Sequence, residues 1–137
     1  MLVDTEGFLL AAHVSPANAT ERSAAVAMLG GSLGSFPTIE VVWADEGYEG
    51  EAMEGWLEES WGVTLGIVKR SEESEGFEVL PRRWVVERTF AWLVRNRRLR
   101  SDYELLPESS EAFMYMAMSR LMLKRLARSA KKEKTAA

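Results

Sequence analysis

The stretch Arg82–Arg100, which reads RRWVVERTFAWLVRNRRLR, is the most informative part of this 137-residue chain. Seven arginines surround one carboxylate, Glu87. Val86, Phe90 and Leu93 have the spacing of one face of an α-helix, which predicts an amphipathic helix with that face buried. Glu87 then borders the buried face. An acid in this position can offer oxygen atoms to a metal ion while the neighbouring arginines bind phosphates.

The helix alone leaves a second interpretation of Glu87 open. A glutamate among arginines is often an ion-pair partner, and exposed pairs of that kind add little stability. The charge distribution favours the first interpretation. Residues 1–80 carry 15 acids and 3 bases, a net charge of −12, whereas residues 81–137 carry 6 acids and 14 bases, a net charge of +8. A polyanion responds to such a local basic region rather than to the overall charge of −4.

The composition excludes several classes of protein. The chain has no cysteine, so disulfides and thiolate zinc sites are excluded. Hydrophobic residues make up 47% of the chain, which is enough for one domain core. Neither a signal sequence nor a run of about 20 apolar residues is present. We therefore expect a single cytoplasmic domain with no membrane association.

Hydrophobic patterning predicts alternating strands and helices, an α/β order with parallel crossovers. The predicted turn at Asp4–Gly7 makes the first two strands a hairpin, and Asp4 is interpreted as a turn residue. Asn18 or Thr20 caps the first helix, and the Gly30–Gly31 pair ends it. The other predicted elements are strands at 39–44 and 63–68, a helix at 51–61, an acidic loop from Lys69 to about Leu80, a helix from Ser110 to Arg128, and a basic disordered tail at 129–137.

Asp45 directly follows the second hydrophobic strand of this pattern, at 39–44. Ligand sites of open α/β sheets gather at the carboxyl ends of strands, and Gly47 and Gly50 allow a close backbone approach to a ligand. Asp45 and Glu87 together can serve as partial ligands of Mg²⁺, which prefers carboxylate oxygens and keeps waters or phosphates in its other positions. A helix-capping or turn aspartate is the alternative interpretation of Asp45.

Two blocks of this sequence resemble those of a known family. VVWADEGYEG at 41–50 and RWVVERTFAWL at 83–93 are similar to the second-Asp and Glu blocks of bacterial insertion-sequence DDE transposases of the insertion sequence four/five type. The similarity continues through RNRRL at 95–99 and DYE at 102–104, and LVDTEG at 2–7 with HVSPAN at 13–18 also resembles the family.

The resemblance implies an α/β, RNase H-like mixed sheet with flanking helices. Residues 1–128 are then a partial catalytic domain, amino-terminally truncated, because the family's first acid lies on a strand upstream of the hairpin. Asp45 and Glu87 correspond to the second and third catalytic acids and to ligands of Mg²⁺ or Mn²⁺. The implied partners are transposon-end DNA, a second copy in a homo-oligomer, or a transposase fragment encoded in an upstream frame. The arginines expected to contact DNA phosphates are Arg83, Arg88, Arg95, Arg97, Arg98 and Arg100.

The expected function is therefore that of a DDE transposase fragment, whose parent performs metal-dependent DNA cleavage and strand transfer at transposon ends. Because the first acid is missing, we expect this chain alone to be inactive. A non-catalytic DNA-binding remnant or regulator of full-length transposase is the first alternative, and a metal-dependent nuclease is the second. His13 is expected to be a hydrogen-bonded structural residue, and most of the five tryptophans are expected to be core.

Overall fold

The computed structural model describes residues 1–69 and 83–136, apart from the side chains of residue 83 and residues 133–136. The order of strands and helices is the predicted one, with three short 3-10 helices between them. The acidic loop predicted up to about Leu80 falls largely on residues 70–82, outside the described residues. The elements are β1 (Leu2–Val3), β2 (Leu9–Ala11), α1 (Glu21–Ser32), β3 (Val41–Asp45), α2 (Glu51–Trp61), β4 (Thr64–Val68), α3 (Arg83–Leu93) and α4 (Pro107–Ala136), with 3-10 helices at Leu33–Ser35, Glu46–Tyr48 and Arg97–Leu99.

The strands of the described chain form two separate two-stranded sheets. β1 and β2 pair in antiparallel fashion, as the predicted hairpin requires. Their register is irregular between Leu2 and Val3. β3 and β4 pair in parallel, from Val41 opposite Thr64 to Asp45 opposite Val68, and α2 makes the crossover. The predicted parallel crossover is confirmed. The structure is thus a mixed α/β arrangement with small sheets and several helices.

Each sheet has its own cluster of buried side chains. Around β3 and β4, the cluster comes from α1, α2 and the strands, and Leu57 is its most completely buried member. Around the hairpin, Leu9 of β2 packs with Leu93 of α3 and Met118 of α4. The long carboxyl-terminal helix therefore completes the core beneath the hairpin.

Helix α1 begins as predicted but does not end where its glycines suggested. The Thr20 side chain accepts a hydrogen bond from the Ser23 amide, so Thr20 is the amino-terminal cap. The helix passes through Gly30–Gly31 and ends at Ser32. Leu29 and Leu33 are buried on either side of the glycines, and we infer that their burial outweighs the glycines' cost of about 1 kcal/mol each.

Helix α4 is longer than the predicted span from Ser110 to Arg128. It runs from Pro107 to Ala136 and so includes most of residues 129–137, for which the sequence predicted a disordered tail. Alanine, lysine, glutamate and arginine dominate this end of the helix, and neither glycine nor proline interrupts it. No helix among the described residues is long and apolar enough to cross a membrane.

The buried face of α3 differs from the predicted one. Val85, Thr89 and Leu93 are buried, whereas Phe90 is 50% exposed. The predicted stripe through Val86 and Phe90 is therefore wrong by about one residue. Thr89 is fully buried. Its hydroxyl group lies within hydrogen-bond distance of the carbonyl oxygens of Gly7, at 2.6 Å, and of Val85, at 3.1 Å, so this polar group has a partner in the core.

The tryptophans also differ from the expectation that most are core. Trp43, Trp61 and Trp84 are all more than a third exposed. Trp43 lies over Gly66 of β4, and Trp61 lies over Gly34. A glycine presents a flat surface to one face of an indole ring, and the other face can stay in contact with solvent.

The close approach of α3 to the hairpin depends on Gly7. Gly7 has a φ of 81°, and a Cβ atom placed there would lie 2.8 Å from the Thr89 hydroxyl oxygen. We therefore expect Gly7→Ala to lower the free energy of unfolding by about 1–3 kcal/mol, through backbone strain and the steric clash. Urea denaturation of both proteins measures the difference.

Gly31→Ala is the matched control, because outside its chain neighbours and its own helix backbone no atom lies within 4 Å of the added Cβ at this exposed helical position. It is expected to raise stability by about 0.5–1 kcal/mol. Equal effects of the two substitutions would contradict the close approach of Gly7 to Thr89.

Candidate metal and nucleic-acid site

Asp45 is the last residue of β3, at the carboxyl end of the parallel pair. Its side chain is exposed, and its Oδ1 atom accepts a hydrogen bond of 3.2 Å from the Gly47 amide. Asp45 is thereby the cap of the 3-10 helix Glu46–Tyr48. The sequence interpretations of a strand-end acid and of a capping aspartate both describe features of this residue.

A second carboxylate lies close to Asp45. A Cβ atom on Gly47 would lie 3.2 Å from Asp45 Oδ1 and 3.6 Å from Glu21 Oε2, so the two acids flank this glycine. The pKa of the neighbouring Tyr48 is raised above its ordinary value, first by burial and then by the charges of Glu21 and Asp45. The turn after β3 is therefore a region of negative potential.

Arg22 of α1 holds this turn in place. Its Nε atom donates to the Gly47 carbonyl at 3.1 Å, and its Nη2 atom donates to the Glu49 carbonyl at 2.6 Å. Lys69, directly after β4, forms an ion pair with the Glu49 carboxylate, and this hydrogen bond raises the pKa of Lys69. The sequence analysis missed both cations, because no local pattern links them to residues 20 or more positions away.

Glu87 lies on the exposed side of α3. It is about 200° around the helix from the buried Val85, so the prediction that it borders the buried face is wrong. The cause is the burial of Thr89, which turns the opposite side of the helix outward. Phe90 and Val94, which share the side of Glu87, are exposed as well.

The two acids stand on elements with different principal neighbours. Helix α3 packs mainly against β1 and α4, whereas β3 packs mainly against β4 and the 3-10 helix that follows Asp45. Within the described residues, no group of three or more histidine, aspartate or glutamate side chains could hold a metal ion. The convergence of Asp45 and Glu87 on one ion stays a prediction.

Three of the arginines expected to contact DNA have partners within the chain. Arg88 donates to the Glu6 carbonyl at 2.6 Å and stacks between Trp84 and Trp92, at 4.2 and 5.0 Å from the ring centroids. Arg98 forms an ion pair with Glu104 and lies over the Phe113 ring. Arg100 donates to the Val94 carbonyl.

Two others are exposed, at the end of α3 and in the 3-10 helix after it: Arg95 and Arg97. Arg95 lines a groove of about 260 Å³ between α3 and α4, together with Arg120 and Lys124 of α4. We call this groove, with its three cations Arg95, Arg120 and Lys124, the basic groove. Arg83 is the first residue of α3, and its side chain lies outside the described residues.

Two residues that the sequence analysis assigned to structural roles have them. Asp4 Oδ1 accepts hydrogen bonds from the amides of Glu6 and Phe8, which confirms Asp4 as the turn residue of the hairpin. His13 Nδ1 lies 3.5 Å from the carboxylate of Glu111, so the single histidine is partnered as expected.

Comparisons with known proteins agree with the sequence resemblance. The family described as the transposase DDE domain matches residues 1–122. Over 74 residues the chain is 42% identical to a putative transposase for insertion sequence element IS402 from Burkholderia cepacia, which covers 54% of this chain and 34% of that protein. The matched segment thus spans about a third of that curated relative. No solved structure matches the chain. Because the family match extends from β1 into α4, the chain belongs to the DDE transposases of bacterial insertion sequences.

Proposed function

We propose that this chain is the part of an RNase H-like transposase domain that binds transposon-end DNA and supplies Asp45 and Glu87 to a Mg²⁺ or Mn²⁺ centre. The observation that carries the proposal is the exposed carboxylate of Asp45 at the carboxyl end of a parallel strand pair, in a chain of this family. Ligands of α/β sheets bind at that edge. The parent reaction is DNA cleavage and strand transfer.

The donor set near Asp45 fits a hard divalent cation. Mg²⁺ binds through one or two carboxylates and keeps waters or substrate phosphates in its other positions. The turn supplies carboxylate oxygens of Asp45 and Glu21, and their charges add to burial in raising the pKa of Tyr48. When bound, such an ion activates a water or hydroxyl group for attack on a phosphodiester. Arg22 orients the turn by binding the carbonyl groups of Gly47 and Glu49.

We also propose that further polypeptide is needed to complete the catalytic domain, and that this chain alone is inactive. Among the described residues, β3 pairs with β4 alone and β1 with β2 alone. Two-stranded parallel sheets are unusual, because parallel strands are normally buried within larger sheets. Trp43 of β3 is 48% exposed. Phe90 and Val94, on the same side of α3 as Glu87, are exposed as well. A strand carrying the first acid, supplied by further polypeptide, would fit this arrangement.

The alternative is a non-catalytic DNA-binding protein that regulates full-length transposase. The described residues form the whole basic groove. They form no group of three acids that could hold a metal ion. Electrostatic binding to phosphates needs the groove but not the acids, which supports a role in DNA binding without catalysis. Both proposals therefore assign DNA binding to this groove, and they differ in whether Asp45 and Glu87 act on the DNA.

A metal titration tests the shared acidic site. We expect Mn²⁺ to bind the full chain and its binding to be lost in both Asp45→Asn and Glu87→Gln, because each substitution keeps the shape but removes a charged ligand. Calorimetry measures the affinity. Paramagnetic Mn²⁺ should broaden the NMR signals of Tyr48, beside Asp45, and of Ala91, one turn after Glu87.

Glu59→Gln, an exposed position on α2, is the control and should bind Mn²⁺ like the unaltered chain. If Asp45→Asn removes the broadening at Tyr48 but leaves it at Ala91, the two acids occupy separate sites and the proposal is overturned.

Salt-dependent binding to a short duplex DNA tests the basic groove. Arg95→Ala is expected to weaken binding and to reduce the slope of log Kd against log salt by about 1, because one phosphate contact in the groove is lost. Fluorescence anisotropy at several salt concentrations gives the slope. Lys69→Ala removes an equal charge from the acidic half of the chain and should leave the slope unchanged; equal slopes for all three proteins would contradict the assignment.

The activity of the purified chain can be measured on DNA that contains the ends of the insertion sequence. We expect no cleavage in Mg²⁺, because the described residues contain no group of three acids that could hold a metal ion. Gel analysis of labelled DNA detects nicking and strand transfer. Specific nicking at the ends would show that the chain is active alone, and hydrolysis of arbitrary DNA without strand transfer would instead indicate a nuclease.

A further inference from the structure

Two consecutive residues of α3 bind two consecutive carbonyl groups of the hairpin turn. The Nη2 atom of Arg88 donates to the Glu6 carbonyl oxygen at 2.6 Å. The hydroxyl group of Thr89 donates to the Gly7 carbonyl oxygen, also at 2.6 Å. Each contact joins residues that are 82 positions apart in the sequence. The first hairpin of the chain is therefore held directly against the helix that carries Glu87.

The guanidinium group of Arg88 is enclosed by aromatic rings. Its central carbon lies 4.2 Å from the ring centroid of Trp84 and 5.0 Å from that of Trp92, which stand four residues before and after it on the same side of α3. Its Nε atom is buried, has no hydrogen-bond partner among the described residues, and would lie 3.4 Å from a Cβ atom on Gly7. A buried N–H group without a partner is costly. The attraction between the cation and the two rings favours the same position and opposes that cost.

The stack of arginine and aromatic side chains continues beyond α3. The guanidinium carbon of Arg125, on α4, lies 4.5 Å from the ring centroid of Trp92 and 4.7 Å from that of Phe8. Phe8 directly follows the hairpin turn, so the stack connects the hairpin, α3 and α4. A planar guanidinium group can lie on a ring in this way, whereas the compact ammonium group of a lysine cannot.

The two contacts with the turn fix the rotation of α3 about its own axis. Arg88 and Thr89 project about 100° apart around the helix. A single contact would leave the helix able to rotate about that point, but two contacts at different angles do not. Glu87 stands about 100° from Arg88 and about 200° from Thr89. The pair of contacts with the turn therefore directs Glu87 to the exposed side of the helix.

We propose that Arg88 is a positioning residue, which sets the direction of the Glu87 carboxylate, and that it does not bind DNA phosphates. The family resemblance implies a phosphate contact for Arg88, but the Glu6 carbonyl group and the two indole rings occupy its guanidinium group. The cations of the basic groove keep the role of binding DNA. The part of this proposal that concerns Glu87 rests on the proposed metal site, and the part that concerns DNA does not.

The salt dependence of DNA binding tests whether Arg88 contacts phosphates. Arg88→Gln should leave the slope of log Kd against log salt unchanged, because no phosphate contact is lost, whereas Arg95→Ala should reduce it by about 1. Fluorescence anisotropy with a short duplex DNA measures both slopes. A slope that falls by about 1 in Arg88→Gln and is restored in Arg88→Lys would show a phosphate contact and would overturn the proposal.

The affinity for Mn²⁺ tests the effect on Glu87. Loss of a residue that orients a metal ligand typically lowers metal affinity by about 10–100-fold, and we expect the Kd to rise about 10-fold in both Arg88→Lys and Arg88→Gln. Arg97→Gln is the matched control, because Arg97 is exposed, and it should leave the Kd unchanged. Circular dichroism confirms that each variant is folded. An unchanged Kd in Arg88→Gln would limit Arg88 to a role in stability, and full affinity in Arg88→Lys would show that its charge alone matters; either result would overturn the proposal.

Hydrogen exchange gives a measurement that does not depend on the metal site. The amide group of Phe8 donates to the Asp4 carboxylate within the turn that Arg88 binds. Arg88→Gln should speed exchange of this amide about fivefold or more, the effect of losing one hydrogen bond, and should leave exchange at Leu57 of α2 unchanged. If the unaltered chain binds no Mn²⁺, the proposed function fails, but faster exchange at Phe8 still supports the contact of Arg88 with the turn. Unchanged exchange at Phe8 would overturn the positioning role whether or not the metal binds.

Discussion

The hydroxyl group of Thr89 donates a 2.6 Å hydrogen bond to the carbonyl oxygen of Gly7, at a point where both residues are buried. Gly7 can approach this closely because it has no Cβ and adopts a positive φ. A buried hydroxyl or carbonyl group without a partner is costly, so the contact fixes how α3 lies on the hairpin. Arg88 adds a second link to the same turn through the Glu6 carbonyl. The outward direction of Glu87 follows from this contact.

Those parts of the fold that depend on local signals were predictable from the sequence, and those that depend on distant contacts were not. Helix α2 has the predicted bounds, because Gly62 adopts a φ of 65° and ends it. The parallel β3–β4 pair followed from strand–helix–strand order. The buried face of α3 did not, because Thr89 is a polar residue whose burial depends on a partner 82 positions earlier. A prediction from hydrophobic periodicity therefore places Thr89 in solvent and Phe90 in the core, the reverse of what the structure has.

In the candidate site, too, features set by the local sequence were predictable and features set by distant contacts were not. The position of Asp45 at the end of a strand follows from the hydrophobic run before it, and its capping contact with Gly47 is local. Arg22 reaches the same turn from another helix, and no spacing in the sequence indicates this. Its two hydrogen bonds to backbone carbonyl groups give the acidic turn a fixed shape without neutralising the carboxylate of Asp45 through a direct ion pair. The proposed metal site would use this exposed carboxylate on a turn whose backbone Arg22 holds.

The segregation of charge between the two halves of the chain determines where DNA can bind. Acidic residues concentrate around β3 and α2, so phosphates are repelled there unless a divalent cation intervenes. Cations concentrate on α3 and the second half of α4, where Arg120 and Lys124 line the basic groove with Arg95. DNA phosphates are therefore attracted to this groove and repelled by the acidic turn. The proposed divalent cation would be what allows a phosphate to approach Asp45, because its charge offsets that of the carboxylates.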